Sequence, residues 1–154
     1  MTRLCCDVLT RLEGKTLVTA ESLTGGGIGA ALTAVPGSSA VYKGGVISYT
    51  DWVKQTILGV PQHLLQELGA VSAPVAEAMA VGARKALDAD VAVSVTGLAG
   101  PGGDEFGHEV GTVFIGYADE NASQAREYHF SGDREDVRNQ TILAALELIL
   151  EMTK

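Results

Sequence analysis

Short runs rich in β-branched residues alternate along this chain with longer stretches whose apolar residues recur every three or four positions. Residues 16–20, 46–50 and 90–97 have the composition of short buried strands. Residues 111–118 and 124–130 flank a polar turn and predict a hairpin. Helical patterns occupy residues 2–13, 28–35, 51–58 and 61–68, a segment capped by Ser72, and the stretch after residue 136. This alternation predicts an α/β fold with three α/β/α layers around a mainly parallel, mixed sheet.

Length and charge narrow the function classes. The chain has 154 residues, 46% of them hydrophobic, which is typical of one compact domain. Its net charge is -8, and its 11 basic residues form no run, so we expect no nucleic-acid partner. The N-terminal stretch holds no apolar run of signal-peptide or spanning length, which favours a cytoplasmic protein without membrane contact. The adjacent Cys5 and Cys6 cannot form an ordinary bridge with each other, in keeping with a reducing compartment.

A glycine run follows the first predicted strand, in the sequence TAESLTGGG at residues 19–27. A strand, a glycine turn and a helix together direct free N–H groups and a positive helix end toward one point, which favours an anion or a developing oxyanion. Gly25, Gly27 and Ala30 match a dinucleotide-binding GxGxxA pattern, but no acidic residue stands where a ribose would be held. Close packing of strand and helix without any ligand is the alternative.

Ser22 stands just before this turn and is a candidate nucleophile, although a serine there is more often a capping or loop residue. Neither a GxSxG motif nor a lysine three residues after Ser22 is present. His63, His108 and His129 have no evident aspartate partner in the sequence, so a Ser-His-Asp triad has no support.

Lys54 is the better candidate for a base. With Asp51 as the predicted cap, it falls in the first turn of a helix, where the helix dipole disfavours an ammonium group. Partial burial would lower its pKa further, whereas Asp51 would oppose both effects. A solvated surface lysine is the alternative interpretation.

Seven blocks, taken together and in this order, resemble the C-terminal domain of the competence-damage protein CinA, a domain that also occurs alone as nicotinamide mononucleotide deamidase. The resemblance covers residues from about 4 to 152 and implies a single amidohydrolase domain over residues 1–154. One departure is Leu23, where the family usually has cysteine. The blocks are TAESLTGG, PGSS, GGVISYTDWVKQTILGV, GAVS, VSVTGLAGPGG, GTVFIG and FSGDREDVRNQ.

The resemblance implies hydrolysis of nicotinamide mononucleotide to nicotinate mononucleotide and ammonia, without a metal or other cofactor. Ser22 matches the family nucleophile, Lys54 its general base, and Tyr49 a tyrosine that assists at the active site. Such a pair would form an acyl-enzyme on the serine.

The resemblance also suggests how the substrate is held. Thr24, Gly25 and Gly26 belong to the matched turn and are expected to bind substrate, the glycine N–H groups receiving the oxyanion. Arg138 matches an arginine associated with substrate and is assigned to the phosphate, with Arg134 as the second choice.

Two other function classes stay open from the sequence. One is a non-catalytic nucleotide-binding or competence-associated interaction module that keeps the pocket, and the other, ranked last, is a dinucleotide-binding oxidoreductase. The habit of the family suggests a homo-oligomer.

Overall fold

The computed structural model covers residues 1–154 and contains one five-stranded sheet. In spatial order the strands are β2 (Tyr42–Ile47), β1 (Leu17–Glu21), β3 (Val91–Gly97), β4 (Thr112–Ala118) and β5 (Ser123–His129). Strands β1 and β2 pair in parallel, as do β1 and β3, whereas β3 with β4 and β4 with β5 pair antiparallel. Only β4 therefore runs against the others, and the predicted mixed sheet and C-terminal hairpin are confirmed.

Six α-helices and one short 3-10 turn, at Ser38–Ala40, connect the strands in the predicted order. The helices are α1 (Thr2–Arg11), α2 (Gly27–Thr33), α3 (Asp51–Thr56), α4 (Gln62–Leu68), α5 (Ala73–Ala86) and α6 (Arg134–Met152). Helix α6 begins with a capping box in which Asp133 and Asp136 each accept a main-chain N–H of the other. None of the helices has the length and the apolar character that crossing a bilayer requires.

One strand boundary differs from the prediction. The second strand was expected at residues 46–50, but β2 spans Tyr42–Ile47 and is aligned with β1 from its first residue. Gly44 and Gly45 lie inside β2, and glycine has low strand propensity, so composition alone places the start of the strand too late. The cap of α3 also moves by one residue: Thr50 is the N-cap and its hydroxyl accepts the N–H of Val53.

Hydrophobic cores lie on both faces of the sheet, and together they establish the three-layer architecture. Leu17 belongs to the core covered by α1, α2 and α6, whereas its neighbour Val18 belongs to the core beneath α5. Successive side chains of a strand point to opposite faces, so β1 contributes to both cores and is buried along its length.

The carboxyl ends of β1, β2 and β3 meet at one edge of the sheet. The connection from β1 to β2 passes through α2 and that from β2 to β3 through α3, α4 and α5, so β1 has a parallel neighbour on each side. Ligands of open α/β sheets bind at the carboxyl end where the strand order changes direction in this way. Ser22, Ser48 and Leu98 are the residues that directly follow the three strands.

Candidate active site

Ser22 begins a tight turn between β1 and α2. The N–H of Gly25 donates to the Ser22 carbonyl at 3.1 Å, and the N–H of Gly27 donates to the Thr24 carbonyl at 2.9 Å. Gly25 and Gly26 have φ angles of 58° and 100°, which side chains other than glycine rarely adopt. The two glycines therefore allow the chain to reverse just after Ser22, whose side chain lies on the wall of a cavity and is 8% exposed.

Lys54 extends from α3 to this turn. Its Nζ lies 3.1 Å from the Ser22 Oγ and donates to the main-chain carbonyl of Ser48 at 2.7 Å. Only 1% of the lysine is exposed. Burial lowers the pKa of the Lys54 amine from its ordinary 10.5, and the carboxylate of Asp51 opposes this decrease in part. The structure thus brings a hydroxyl and an amine with a lowered pKa together, as the sequence predicted for this pair.

Glu21, the last residue of β1, was not identified from the sequence. It is 2% exposed, and its carboxylate accepts the main-chain N–H groups of Ile28 and Gly29 at 2.8 and 3.0 Å. A carboxylate of the chain itself therefore occupies the N-terminus of α2, the point at which the sequence suggested an anion site. An acidic residue that ends an apolar strand just before a glycine turn and a helix was the signal that could have revealed it.

The cavity beside Ser22 has a volume of about 690 Å³. Its walls come from the carboxyl ends of the parallel strands, from α3, from the end of α4 and from the loop that follows β3. Lys54 lines the cavity beside Ser22, and Arg134 at the start of α6 lines it beside Gly100 and Tyr49. This size and this position are typical of a site for a small molecule.

Arg134 and Tyr49 are two polar residues of the cavity lining that contact each other. The guanidinium of Arg134 donates to the carbonyl of Gly100 at 2.8 Å and to the Tyr49 hydroxyl at 3.3 Å. Tyr49 is 61% exposed and makes no hydrogen bond to Ser22 or Lys54 in this structure. Both side chains therefore line the cavity but make no hydrogen bond with Ser22 or Lys54.

Arg138, in contrast, does not line the cavity. Its Nε donates to the carbonyl of Leu23 at 2.9 Å and its Nη2 to the carbonyl of Thr24 at 3.1 Å, so its guanidinium is bound to the main chain of the turn. Thr24 is fully buried, and its hydroxyl donates to Glu21 at 2.7 Å. Of the residues expected to hold substrate, Thr24, Gly25, Gly26 and Arg138 lie off the cavity wall, whereas the second choice, Arg134, lies on it.

The loop after β3 contains a histidine and aspartate pair that was not evident from the sequence. Nδ1 of His108 lies 2.7 Å from Oδ2 of Asp104, so the expectation that no histidine has an aspartate partner is wrong for His108. Burial opposes ionisation of Asp104, but hydrogen bonds from His108 and Phe106 outweigh it and lower the pKa of that carboxyl. The His108 ring packs edge-on against Phe114, and its hydrogen bonds are with Asp104 and not with Ser22, so the pair orders the loop that forms the cavity wall.

Phe106 lines the same cavity next to Gly69. Its ring lies so close to Gly69 that a Cβ on the glycine would be 2.5 Å from the Phe106 Cε2. The φ angle of Gly69 is 77°, which glycine adopts without strain. No three His, Cys, Asp or Glu side chains come together in a way that could hold a metal ion.

Comparison with known proteins agrees with this architecture. The family model of the CinA C-terminal domain matches residues 3–153. A CinA-like protein of Geobacter metallireducens is 50% identical over 139 residues, which cover 90% of this chain and 34% of that protein. The chain thus spans about a third of the length of that relative. The nicotinamide-nucleotide amidohydrolase PncC of Pseudomonas putida is 46% identical over 136 residues, covering 88% of this chain and 85% of PncC.

Solved structures show the same fold. A CinA superfamily protein from Klebsiella pneumoniae 700603 superposes with a TM-score of 0.95 at 33% identity, covering 99% of this chain and 96% of that one. The competence/damage inducible protein CihA from Agrobacterium tumefaciens superposes with a TM-score of 0.95 at 37% identity, covering 99% of this chain and 95% of that one.

Proposed function

Because this chain belongs to the family of CinA C-terminal domains, we propose that it is a nicotinamide-nucleotide amidohydrolase, which converts nicotinamide mononucleotide and water to nicotinate mononucleotide and ammonia. The observation that carries the proposal is the 3.1 Å separation between the Lys54 Nζ and the Ser22 Oγ on the wall of a cavity of substrate size. The similarity to PncC of Pseudomonas putida supports the choice of substrate.

In the first step the neutral amine of Lys54 takes the proton of the Ser22 hydroxyl, and Oγ forms a bond to the carboxamide carbon. Burial supports this role because it lowers the pKa of the amine. We assign the resulting oxyanion to the main-chain N–H of Leu23, a cavity residue whose N–H has no other partner. The N–H of Gly25 is a poorer candidate because it already donates to the Ser22 carbonyl.

In the second step the tetrahedral intermediate collapses. The C–N bond breaks as the Lys54 ammonium returns its proton to the departing nitrogen, so ammonia leaves and a nicotinoyl ester remains on Ser22. Lys54 is then neutral again and takes a proton from water, which attacks the ester. The second tetrahedral intermediate then collapses: the bond between the acyl carbon and Oγ breaks, and Oγ takes the proton back from the Lys54 ammonium. This restores the Ser22 hydroxyl and the neutral amine and releases nicotinate mononucleotide.

We assign the substrate phosphate to Arg134. Its guanidinium lies on the cavity wall, whereas that of Arg138 is bound to two main-chain carbonyls. A planar guanidinium can hold a phosphate through two parallel hydrogen bonds. Tyr49, which accepts a hydrogen bond from Arg134, would orient that guanidinium and contact the substrate at the mouth of the cavity.

The direct test is to mix the purified protein with nicotinamide mononucleotide and to measure ammonium and nicotinate mononucleotide. We expect release by the native protein and none by Ser22→Ala, with unchanged unfolding in urea. Ser38→Ala is the matched control, because Ser38 is about as buried as Ser22 and lies off the cavity. Substrate binding without ammonia release by the folded native protein would contradict the proposal and support the non-catalytic nucleotide-binding module instead.

A further inference from the structure

We propose that Glu21 is a positioning residue for this hydrolysis, because its buried carboxylate holds the turn that presents Ser22 to Lys54. The inference rests on the proposed function in one respect only, namely that Ser22 is a nucleophile. Glu21 itself does not face the large cavity and does not contact Lys54, so it would act through the main chain.

Each oxygen of the Glu21 carboxylate accepts one main-chain N–H and one hydroxyl. Oε1 accepts the N–H of Ile28 at 2.8 Å and the Thr24 hydroxyl at 2.7 Å. Oε2 accepts the N–H of Gly29 at 3.0 Å and the Thr19 hydroxyl at 3.1 Å. The carboxylate therefore connects the strand before Ser22, the turn after it and the first turn of α2.

No cationic side chain pairs with Glu21. Burying a carboxylate without a counter-ion is costly unless hydrogen bonds satisfy it, and the N-terminal N–H groups of α2 provide that compensation. An amide cannot take its place without loss, since a glutamine would direct its NH2 group at the N–H of Ile28 or of Gly29. Two donors would then face each other, and the turn would have to shift.

The main chain of Glu21 also reaches the lysine side of the pair. Its carbonyl accepts the N–H of Ser48 at 2.7 Å and the Ser48 hydroxyl at 3.2 Å. The carbonyl of Ser48 in turn accepts Lys54 Nζ at 2.7 Å. Glu21 is thus the chain neighbour of Ser22 and is connected to Lys54 through Ser48. A shift of Glu21 would therefore change the distance between Ser22 Oγ and Lys54 Nζ, on which proton transfer depends.

The experiment compares Glu21→Gln with the native protein in two assays. In ammonia release we expect kcat to fall about 10- to 100-fold, since displacement of a reacting group by about 1 Å costs on the order of a hundredfold. KM should change less than about threefold, because the side chains assigned to the substrate lie on other elements. A residue that only stabilised the fold would not separate kcat from KM in this way.

Asp119→Asn provides the matched control. The Asp119 carboxylate also accepts two main-chain N–H groups and one hydroxyl, from Asn121, Ala122 and Tyr117. It follows β4 at the amino end of β3, on the edge of the sheet away from Ser22. The same carboxylate-to-amide change there should also lower the free energy of unfolding, by less because Asp119 is only partly buried, and should leave kcat unchanged.

The second assay measures covalent labelling of Ser22 by a small phosphonofluoridate, in which an O–P bond forms and fluoride leaves. It needs the serine and its base but not nicotinamide mononucleotide. Labelling of Glu21→Gln that is slower by about the same factor as kcat supports the positioning role. If the native protein is labelled but releases no ammonia, the proposed function is overturned, and slower labelling of Glu21→Gln still supports the positioning role. Equal labelling of Glu21→Gln and native protein, or no labelling of Ser22 in the native protein, overturns the role.

Thr24→Val serves if Glu21→Gln does not fold. It removes one of the four donors to the carboxylate and preserves the shape of the side chain. We expect the same separation of kcat from KM and slower labelling, both smaller than for Glu21→Gln. A folded Thr24→Val protein with native labelling rate would then overturn the proposal.

Discussion

Lys54 and Ser22 are 32 residues apart in sequence, and their side chains meet at 3.1 Å, where both are almost fully buried. The amine has one further polar contact, the carbonyl of Ser48. A main-chain carbonyl can accept a hydrogen bond from either the neutral or the charged form of the lysine, but it offers no formal charge to stabilise the ammonium. Desolvation therefore dominates, and the pKa of Lys54 is lowered.

The rate of hydrolysis should rise with pH. If Lys54 acts as a neutral base, kcat/KM increases as the amine loses its proton, with an inflection below the ordinary pKa of 10.5. Asp51 raises the pKa of this lysine, so Asp51→Asn should move the inflection to lower pH. The measurement is kcat/KM from pH 6 to pH 10 for the native protein and for Asp51→Asn, with Asp119→Asn as the remote control. An inflection that moves to higher pH in Asp51→Asn would contradict the assignment.

The lowered pKa of Lys54 should also make the free energy of unfolding depend on pH. Between the lowered pKa of folded Lys54 and its ordinary value, the unfolded chain binds a proton that the folded chain does not. The contribution of Lys54 to the free energy of unfolding therefore becomes more favourable as pH rises through this interval. Urea unfolding of native protein and Lys54→Met at neutral and alkaline pH should show the native protein gaining stability relative to the variant. A difference in free energy of unfolding between the two proteins that stays constant with pH would show that burial does not lower the pKa of Lys54.

Much of the architecture could be predicted because apolar periodicity reports burial directly. The β-branched runs and helical patterns predicted the element order, three layers and a mixed sheet, and these are present. The start of β2 could not be predicted, since its pairing with β1 overrides the low strand propensity of Gly44 and Gly45. Here tertiary pairing decided the boundary.

The site was predictable to a smaller extent. The resemblance indicated Ser22 and Lys54, but the distance between their side chains depends on how α3 packs at the end of β1. The spacing of residues along the sequence does not give that packing. Arg134 and Arg138 are one helical turn apart on α6, so both face the same side. Their different environments arise because α6 begins beside the loop at Gly100 and then passes the turn at Leu23. Only the packing of α6 distinguishes the two arginines.

Arg134 should determine whether the enzyme distinguishes a nucleotide from a nucleoside. We expect Arg134→Gln to lower kcat/KM for nicotinamide mononucleotide about 10- to 100-fold, as loss of a charge-assisted pair would predict. For nicotinamide riboside, which has no phosphate, the same substitution should have little effect. The measurement is kcat/KM for both substrates with the native and variant proteins.

Arg138→Gln is the matched comparison for this experiment. It should lower activity on both substrates by the same factor, because its guanidinium holds the carbonyls of Leu23 and Thr24 and does not line the cavity beside Ser22. A selective loss of activity on the phosphorylated substrate in Arg138→Gln, with none in Arg134→Gln, would show that Arg138 binds the phosphate.

The contact between Gly69 and Phe106 should control the shape of the cavity. Gly69→Ala would place a Cβ 2.5 Å from the Phe106 Cε2, so the ring and its loop must move. The φ of 77° adds backbone strain of about 1 to 3 kcal/mol for any residue other than glycine. We expect a lower free energy of unfolding in urea together with a KM that is several-fold higher, because Phe106 forms part of the cavity wall.

Gly14→Ala separates the two effects. Gly14 has a φ of 86°, but a Cβ there would meet no atom within 4 Å, and the residue lies away from the cavity. Its substitution should therefore lower stability through backbone strain alone and leave KM unchanged. If Gly69→Ala raised KM no more than Gly14→Ala does, the position of Phe106 would have no part in substrate binding.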